Sequence, residues 1–249
     1  MPERSLARSR TLIHDLGQIE PFSPAYQTGL LRHPTCSIVF SMLTVVRAFN
    51  EEGRETDDGG KVPRTSVPRT SGGGTDRPVS RSEYDRMVEQ GLFEDQHVEL
   101  LYGVVESMSP QGYLHSEVIK RLSKRLIRAL GDRADVFIQA PFAASQMSEP
   151  EPDLAVVPAD DYSRAHPDLA HLIIEVGDSS LPRDRGPKSE LYANSLVPEY
   201  WIVDLVERVI EVRCNPVEGQ YRTTTRHQHG DAIPLLAFPD VSVVVDEIL

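Results

Sequence analysis

Two short apolar runs, each set against an acid, constrain this chain more than any other feature. Asp153 stands immediately before Leu154-Ala155-Val156-Val157, and Glu175 immediately after Leu172-Ile173-Ile174. Runs of this length with turn residues around them read as buried strands. Adjacent strands lie only about 5 Å apart, so an acid opening one run and an acid closing the next can meet at one sheet edge. Taken alone, Asp153 is an ordinary turn residue. Glu175 is the stronger anomaly, because an ionised group at the end of an apolar strand is costly to bury without a partner. Two carboxylates held that close shift each other's pKa unless a proton or cation lies between them. A hard divalent ion, Mg²⁺ or Mn²⁺, suits one or two carboxylates facing a phosphate-bearing substrate. Downstream, Lys188 offers a positive charge near the reacting group. Asp184, Lys188 and Tyr192 recur every four residues, which places them on one face of a predicted helix from about Asp184 to Leu196.

The organisation of the chain follows from where periodicity begins. Residues 1–79 show no sustained period, and Glu51 to Pro78 is rich in Gly, Pro, Ser, Thr and charge. Such a stretch cannot bury enough apolar surface to offset its ordering entropy, so residues 1–79 are expected to be a disordered extension and residues 80–249 the folded domain. Ser80-Arg81-Ser82-Glu83 is a capping-box pattern for a short helix that Gly91 can close. Val98–Tyr102 and Val104–Met108 read as two strands about a turn at Gly103. His115 to Leu130 is strongly helical, with Val118, Ile119, Leu122, Leu126, Ile127 and Leu130 at 3–4 spacing. Strands are expected at Val136–Ala144, Tyr200–Asp204, Val209–Arg213 and Val241–Val245. Helix, strands, helix, strands describes an α/β or α+β fold, a mixed sheet flanked by helices.

Charge limits the partners. The chain carries a net charge of −12, and residues 81–249 hold 16 Lys and Arg against 29 Asp and Glu. Broad, tight binding of a polyanion is disfavoured by that balance, because phosphate contacts dominate nucleic-acid affinity. A local basic face remains: Lys120, Arg121, Lys124, Arg125 and Arg128 fill one side of the long helix, either as a solvated surface or as a seat for a nucleic-acid backbone. Two cysteines, Cys36 and Cys214, make neither a disulfide framework nor a zinc site. No apolar run is long enough to span a bilayer, and a cytoplasmic protein with no membrane partner is expected.

The ordered set Glu99…Gly103, His115, Pro152-Asp153, Glu175, Asp184…Lys188…Tyr192 and Pro198-Glu199-Tyr200-Trp201-Ile202-Val203-Asp204 resembles the Uma-type family of restriction endonucleases within the PD-(D/E)xK nuclease superfamily. The likeness spans roughly Ser80 to the C-terminus. It implies a restriction-endonuclease-like sheet and Mg²⁺-dependent hydrolysis of phosphodiester bonds in nucleic acid, DNA first. It also implies metal ligation by Asp153, Glu175 and Glu99, catalytic roles for Lys188 and His115, and a homodimer. One departure stands out. The superfamily lysine lies two residues after the second acid, where this chain has Gly177; in the Uma-type family it moves to the following helix, where Lys188 falls. From the residues alone, Glu99 also fits a solvent-facing strand position. His115, at a helix N-terminus, is expected to hold a neutral ring. The competing reading is a nuclease-fold module that binds nucleic acid or a protein partner without catalysing.

Overall fold

A computed structural model describes residues 77–249. Of the extension expected over residues 1–79, all but the last three positions lie outside the described residues. Those three pack on the domain: Val79 donates its N–H to the Gly103 carbonyl at 2.8 Å, and Arg77 pairs with Glu83. The helix α1 (Arg81–Glu89) begins at Ser80, whose N–H and Oγ both donate to the Glu83 carboxylate at 3.0 and 2.9 Å. Tyr84 is its buried residue, with its hydroxyl on the Val98 carbonyl. A hairpin follows, β1 (Val98–Leu101) paired antiparallel with β2 (Val104–Ser107). Tyr102 and Gly103 both take positive φ at its tip, the geometry that matches the twist of the two strands.

The long helix α2 (Tyr113–Leu130) is amphipathic as its spacing predicts, with Val118, Ile119, Leu122, Leu126 and Leu130 buried. Ile127 departs from the expectation and is half exposed. The main sheet then forms from β3 (Ala134–Ile138), β4 (Leu154–Pro158), β5 (Leu172–Gly177), β6 (Glu199–Asp204), β7 (Val209–Val217) and β8 (Gln220–His227), in that spatial order. The predicted strand to Ala144 stops at Ile138, because Gln139 turns to positive φ and leaves the ladder. All neighbours are antiparallel except β5 and β6, which run parallel. A parallel pair demands a crossover. Here it is helical: α3 (Leu181–Arg183), a π-helical turn (Asp184–Lys188) and α4 (Ser189–Asn194). The helix thus begins before the predicted Asp184 and is not a regular α-helix. Pro187 sits inside the π turn and has no N–H to continue an α-helical ladder.

Alternation along the strands divides the core in two. Leu154 and Val156 of β4, and Leu172, Ile174 and Val176 of β5, pack with α2 and the C-terminal segment. That segment is the hairpin β9 (Ala232–Pro234) with β10 (Ser242–Val244), closed by one turn, α5 (Val245–Ile248). Ala155, Val157, Ile173, Tyr200 and Ile202 face the other way, with Leu181 and Tyr192 of the crossover. Period-2 geometry therefore sends Glu175 toward the crossover helix. No helix among the described residues is long and apolar enough to cross a membrane.

Glu199 ties the two halves of the second half-chain together. One oxygen accepts from the indole N–H of Trp201 and the other from the backbone N–H of Leu236, each at 2.8 Å. Burial raises its pKa to about 7, against the pull of those two donors. Glu199→Ala leaves both donors without an acceptor, a loss of about 3 kcal/mol at the usual cost of unsatisfied buried groups. Urea unfolding of the two proteins followed by Trp201 fluorescence measures it.

Candidate active site

The β4–β5 register sets the centre of the site. Leu154 pairs with Ile174, so one step further along the antiparallel ladder Asp153 comes opposite Glu175. Both are buried. Asp153 Oδ2 accepts from the Val176 backbone N–H at 2.8 Å and lies 3.1 Å from His115 Nε2, while Oδ1 accepts from Gln139 Nε2 at 3.3 Å. Glu175 Oε1 accepts from Lys188 Nζ at 2.9 Å and from the Tyr192 hydroxyl at 2.7 Å. Lys188 is only 4% exposed, and its amine also stands 3.3 Å from Glu99 Oε2. Glu99 arrives from β1, outside the main sheet. It is held there by a bridge in which Leu100 and Glu149 exchange backbone hydrogen bonds, and its Oε2 accepts from the Glu151 N–H at 3.2 Å. At 1% exposure Glu99 is not the solvent-facing strand residue that alternation allows.

The structure thus gathers Asp153, Glu175, Glu99, Lys188 and His115 around one sheet edge. Asp184 joins them, buried, with Oδ2 accepting from Ser180 Oγ at 2.7 Å. Arg183 was not among the residues singled out by sequence. Its guanidinium pairs with Glu99 Oε1 and reaches Glu106 Oε2 at 3.2 Å. Nothing in the local spacing relates Arg183 to Glu99, 84 positions earlier; the only signal was a cation placed next to Asp184.

Gly177 explains why the lysine comes from a helix. A Cβ at that position would stand 2.6 Å from Ser180 Oγ and 2.8 Å from Asp184 Oδ2, so the crossover packs against bare backbone. A lysine two residues after Glu175 would collide with the start of that helix. Lys188 reaches the same carboxylate from the opposite side of the π turn.

Electrostatics follow from burial. Glu175 is pushed up to about 8, first by burial and then by the neighbouring Asp184 and Asp153 carboxylates, with Lys188 and the Tyr192 hydroxyl opposing. Burial also raises Asp184. For His115, burial pulls the pKa down, but the hydrogen bond to Asp153 and its charge outweigh it and the net direction is up. The hydrogen bond and charge of Asp153 thus act on the ring against the partial charge of the helix end, which favours the neutral form. His115 Nδ1 is buried without a hydrogen-bond partner among the described residues.

Among the described residues no three His, Cys, Asp or Glu side chains converge in an arrangement ready to hold a metal ion. The reason is visible in the contacts. Glu99 is separated from Glu175 by the Lys188 amine and is engaged by Arg183 as well, while Asp153 is engaged by His115. The donors that are present are oxygens and suit a hard cation. Asp153 and Glu175 offer carboxylate oxygens of the kind such an ion takes, while both oxygens of Glu99 face cations.

The basic face of α2 is partly spent within the fold. Lys120 and Arg121 pair with Glu117, Arg121 also donates to the Ile248 carbonyl at 3.2 Å, and Arg125 donates to the Ser242 carbonyl at 2.8 Å. Lys124 and Arg128 form no ion pair among the described residues.

With this geometry in hand, comparison with known proteins gives the class: a nuclease-fold domain of mixed sheet and flanking helices. Residues 81–246 match the family model Uma2, described as "Putative restriction endonuclease", and the chain belongs to that family. A solved structure from Anabaena variabilis ATCC 29413, described as "a putative nuclease belonging to DUF820", superimposes with a TM-score of 0.55 at 15% identity, covering 69% of this chain and 97% of that one. At that identity the likeness concerns the fold. No curated protein matches the chain.

The raised carboxyls set a pH dependence for the metal-free protein. Glu149, Glu175 and Glu199 are pushed up to about 7, 8 and 7, in each case first by burial. Between the ordinary carboxyl range near 4.5 and those values, the folded chain holds protons that the unfolded chain has released. Stability therefore falls as pH rises through this window. Melting temperatures in chelator should be higher at pH 5.5 than at pH 8.5, and Glu175→Gln should flatten the slope.

Proposed function

We propose that the chain is a metal-dependent endonuclease that hydrolyses phosphodiester bonds of nucleic acid, with DNA as its substrate. The observation that carries the reading is the meeting of Asp153 and Glu175 across the β4–β5 ladder, with the Lys188 amine 2.9 Å from Glu175. Asp153 and Glu175 would hold Mg²⁺ or Mn²⁺, and Glu99 would complete the acidic set. A cation bound there supplies positive charge to the scissile phosphate and lowers the pKa of water in its shell. The protein's own groups do the rest. His115 and the Val176 N–H fix the orientation of Asp153, leaving Oδ1 with only the longer Gln139 contact. Tyr192 fixes Glu175 in the same way. Lys188, already placed against the acids, meets negative charge that grows on a phosphoryl oxygen in the transition state. A homodimer would place two such sites on one duplex, one for each strand.

The competing reading, a module that binds nucleic acid or protein without catalysing, draws on one observation: Glu99 is already neutralised by Arg183 and Lys188 in the folded chain. Nicking of supercoiled plasmid and calorimetric Mn²⁺ titration decide between them. Asp153→Asn and Glu175→Gln should each cut more slowly by ~100-fold or more, the scale of losing a key electrostatic group, and should lose the metal-induced rise in melting temperature. Lys188→Ala behaves differently. Removing one partner from a buried ion pair costs about 3 kcal/mol, so the metal-free variant should be less stable. It should still bind Mn²⁺ and gain more stability from it than wild type does, while cutting slowly. A wild type that binds no divalent ion at millimolar concentration, or an Asp153→Asn that cuts at the wild-type rate, gives the binding module the better case.

A further inference from the structure

Arg183 is in an unusual position for a structural ion pair. It is the last residue of α3, immediately before the π turn that carries Asp184 and Lys188. Its guanidinium touches two carboxylates that face each other across the β1–β2 hairpin, since Glu99 and Glu106 are register partners. The two differ in exposure. The Glu99 side chain is 1% exposed and the Glu106 side chain 40%. One end of the arginine's reach is therefore inside the acidic site and the other at its rim, and the Arg183 side chain itself is 30% exposed. Its Nε is buried and lacks a hydrogen-bond partner among the described residues. Among the described residues the head group is anchored by the two carboxylates it bridges.

Glu99, by contrast, is engaged at both oxygens. Oε1 is taken by Arg183; Oε2 accepts from the Glu151 N–H and faces Lys188. A cation entering between Glu99 and the Asp153–Glu175 pair competes with these contacts for the same carboxylate. Lys188 keeps Glu175 and is enclosed; Arg183 keeps Glu106 and is partly exposed. The arginine is the contact that can yield.

We propose that Arg183 is the exchangeable counter-ion of Glu99: a divalent cation takes its place on Glu99, and Arg183, retained by Glu106 at the rim, turns its guanidinium to the substrate phosphate. The inference rests on the nuclease reading above and deepens it by adding a catalytic residue that ligates no metal. The chemistry is consistent with the side chain. A guanidinium presents a planar fork of donors that fits carboxylate and phosphate alike, so it can pass from one to the other without changing its protonation. A resident cation also lets the acidic site fold without metal, and makes metal binding and phosphate engagement two halves of one movement.

Metal titration and cleavage at saturating metal read the two halves separately. Calorimetric Mn²⁺ titration of Arg183→Gln should show affinity tighter by about tenfold, in the range found when a residue acting on a metal ligand is changed. With Mn²⁺ saturating, the same variant should cut supercoiled plasmid about 100-fold more slowly, because the phosphate loses its guanidinium. Glu106→Gln should move metal affinity the other way, since Arg183 then has only Glu99 to hold. In the Arg183→Gln background that Glu106 effect should vanish, which separates an effect passed through the arginine from plain loss of a nearby negative charge. Should Arg183→Gln fail to fold, Arg183→Lys keeps the charge but not the two-carboxylate span, and tighter metal with slower cutting is expected from it too. A wild type that binds Mn²⁺ while these variants bind it no more tightly, a variant that cuts at the wild-type rate, or a Glu106 effect that persists without Arg183 overturns the proposal and leaves the nuclease reading standing. A wild type that binds no Mn²⁺ overturns both.

Discussion

The buried amine of Lys188 between Glu99 and Glu175 is the interaction on which the site depends. At about 3 Å and an effective dielectric near 20, each such contact is worth roughly 5 kcal/mol of Coulomb attraction, but withdrawing each ion from water costs several kcal/mol in return. Stability alone does not account for such a cluster. What the cluster does is fix geometry: it joins β1 of the hairpin, β5 of the sheet and the crossover helix through one atom. It also leaves a charge imbalance. Glu99, Asp153, Glu175 and Asp184 are four buried carboxyls served by Lys188, Arg183 and a His115 whose pKa is raised. Glu175 and Asp184 are shifted upward, first by burial and then by the neighbouring carboxylates. A site in this condition favours either protons or a further cation, which is the electrostatic argument for the metal reading.

The crossover is shaped by the need to bring that amine to that carboxylate. β5 and β6 run parallel, so the chain must return over the sheet, and the return passes directly above Gly177. The absence of a side chain there lets Ser180 and Asp184 sit close against the strand. With the strand position closed to a lysine, the helix must deliver one, and it does so at the last residue of the π turn, directly after Pro187. The turn widens the helix where a proline has removed an N–H, and its first and last residues, Asp184 and Lys188, are both buried in the site. A π turn commonly marks a functional position in a helix, and this one carries Asp184 and Lys188 at its two ends.

How much of this was legible in the sequence depends on the range of each interaction. The pairing of Asp153 with Glu175 was legible, because strand alternation and the 5 Å spacing of neighbours are local rules and β4 and β5 are adjacent. The faces of α2 were legible apart from Ile127, whose 3–4 spacing is right but whose sector of the helix is not covered. Glu99 was ambiguous, since a glutamate between apolar strand residues has the same pattern whether its face meets solvent or a buried lysine. The surroundings of His115 were half legible for a related reason: the helix end is visible in sequence, whereas the contact with Asp153, 38 residues away, is not. Arg183 was missed altogether. Its role exists only through a hairpin, 84 residues earlier, that is not part of the main sheet. The arrangement of β3 and the π turn likewise depended on single backbone choices at Gln139 and Pro187 that no periodicity encodes.

The charge distribution bears on how a nucleic-acid substrate would approach. Residues 81–249 carry 29 acidic against 16 basic residues, so the long-range field repels a polyanion. The basic stripe of α2 does less to offset this than its sequence suggests, because Arg121 and Arg125 are engaged with the C-terminal segment and Lys120 with Glu117. α2 packs on the sheet face opposite the crossover helix, and only its N-terminal His115 reaches Asp153. Positive charge for a phosphate must then be short-range and placed at the site itself. Lys188 is too enclosed to meet a phosphate before the acids are neutralised. Arg183, at the rim between Glu99 and Glu106, is the cation positioned to act first, and its release from Glu99 depends on the arrival of another positive charge. On this account the acidic surface adds to selectivity: with the divalent ion absent the site offers a phosphate little, and with it present the same carboxylates that repel the substrate become the means of holding it.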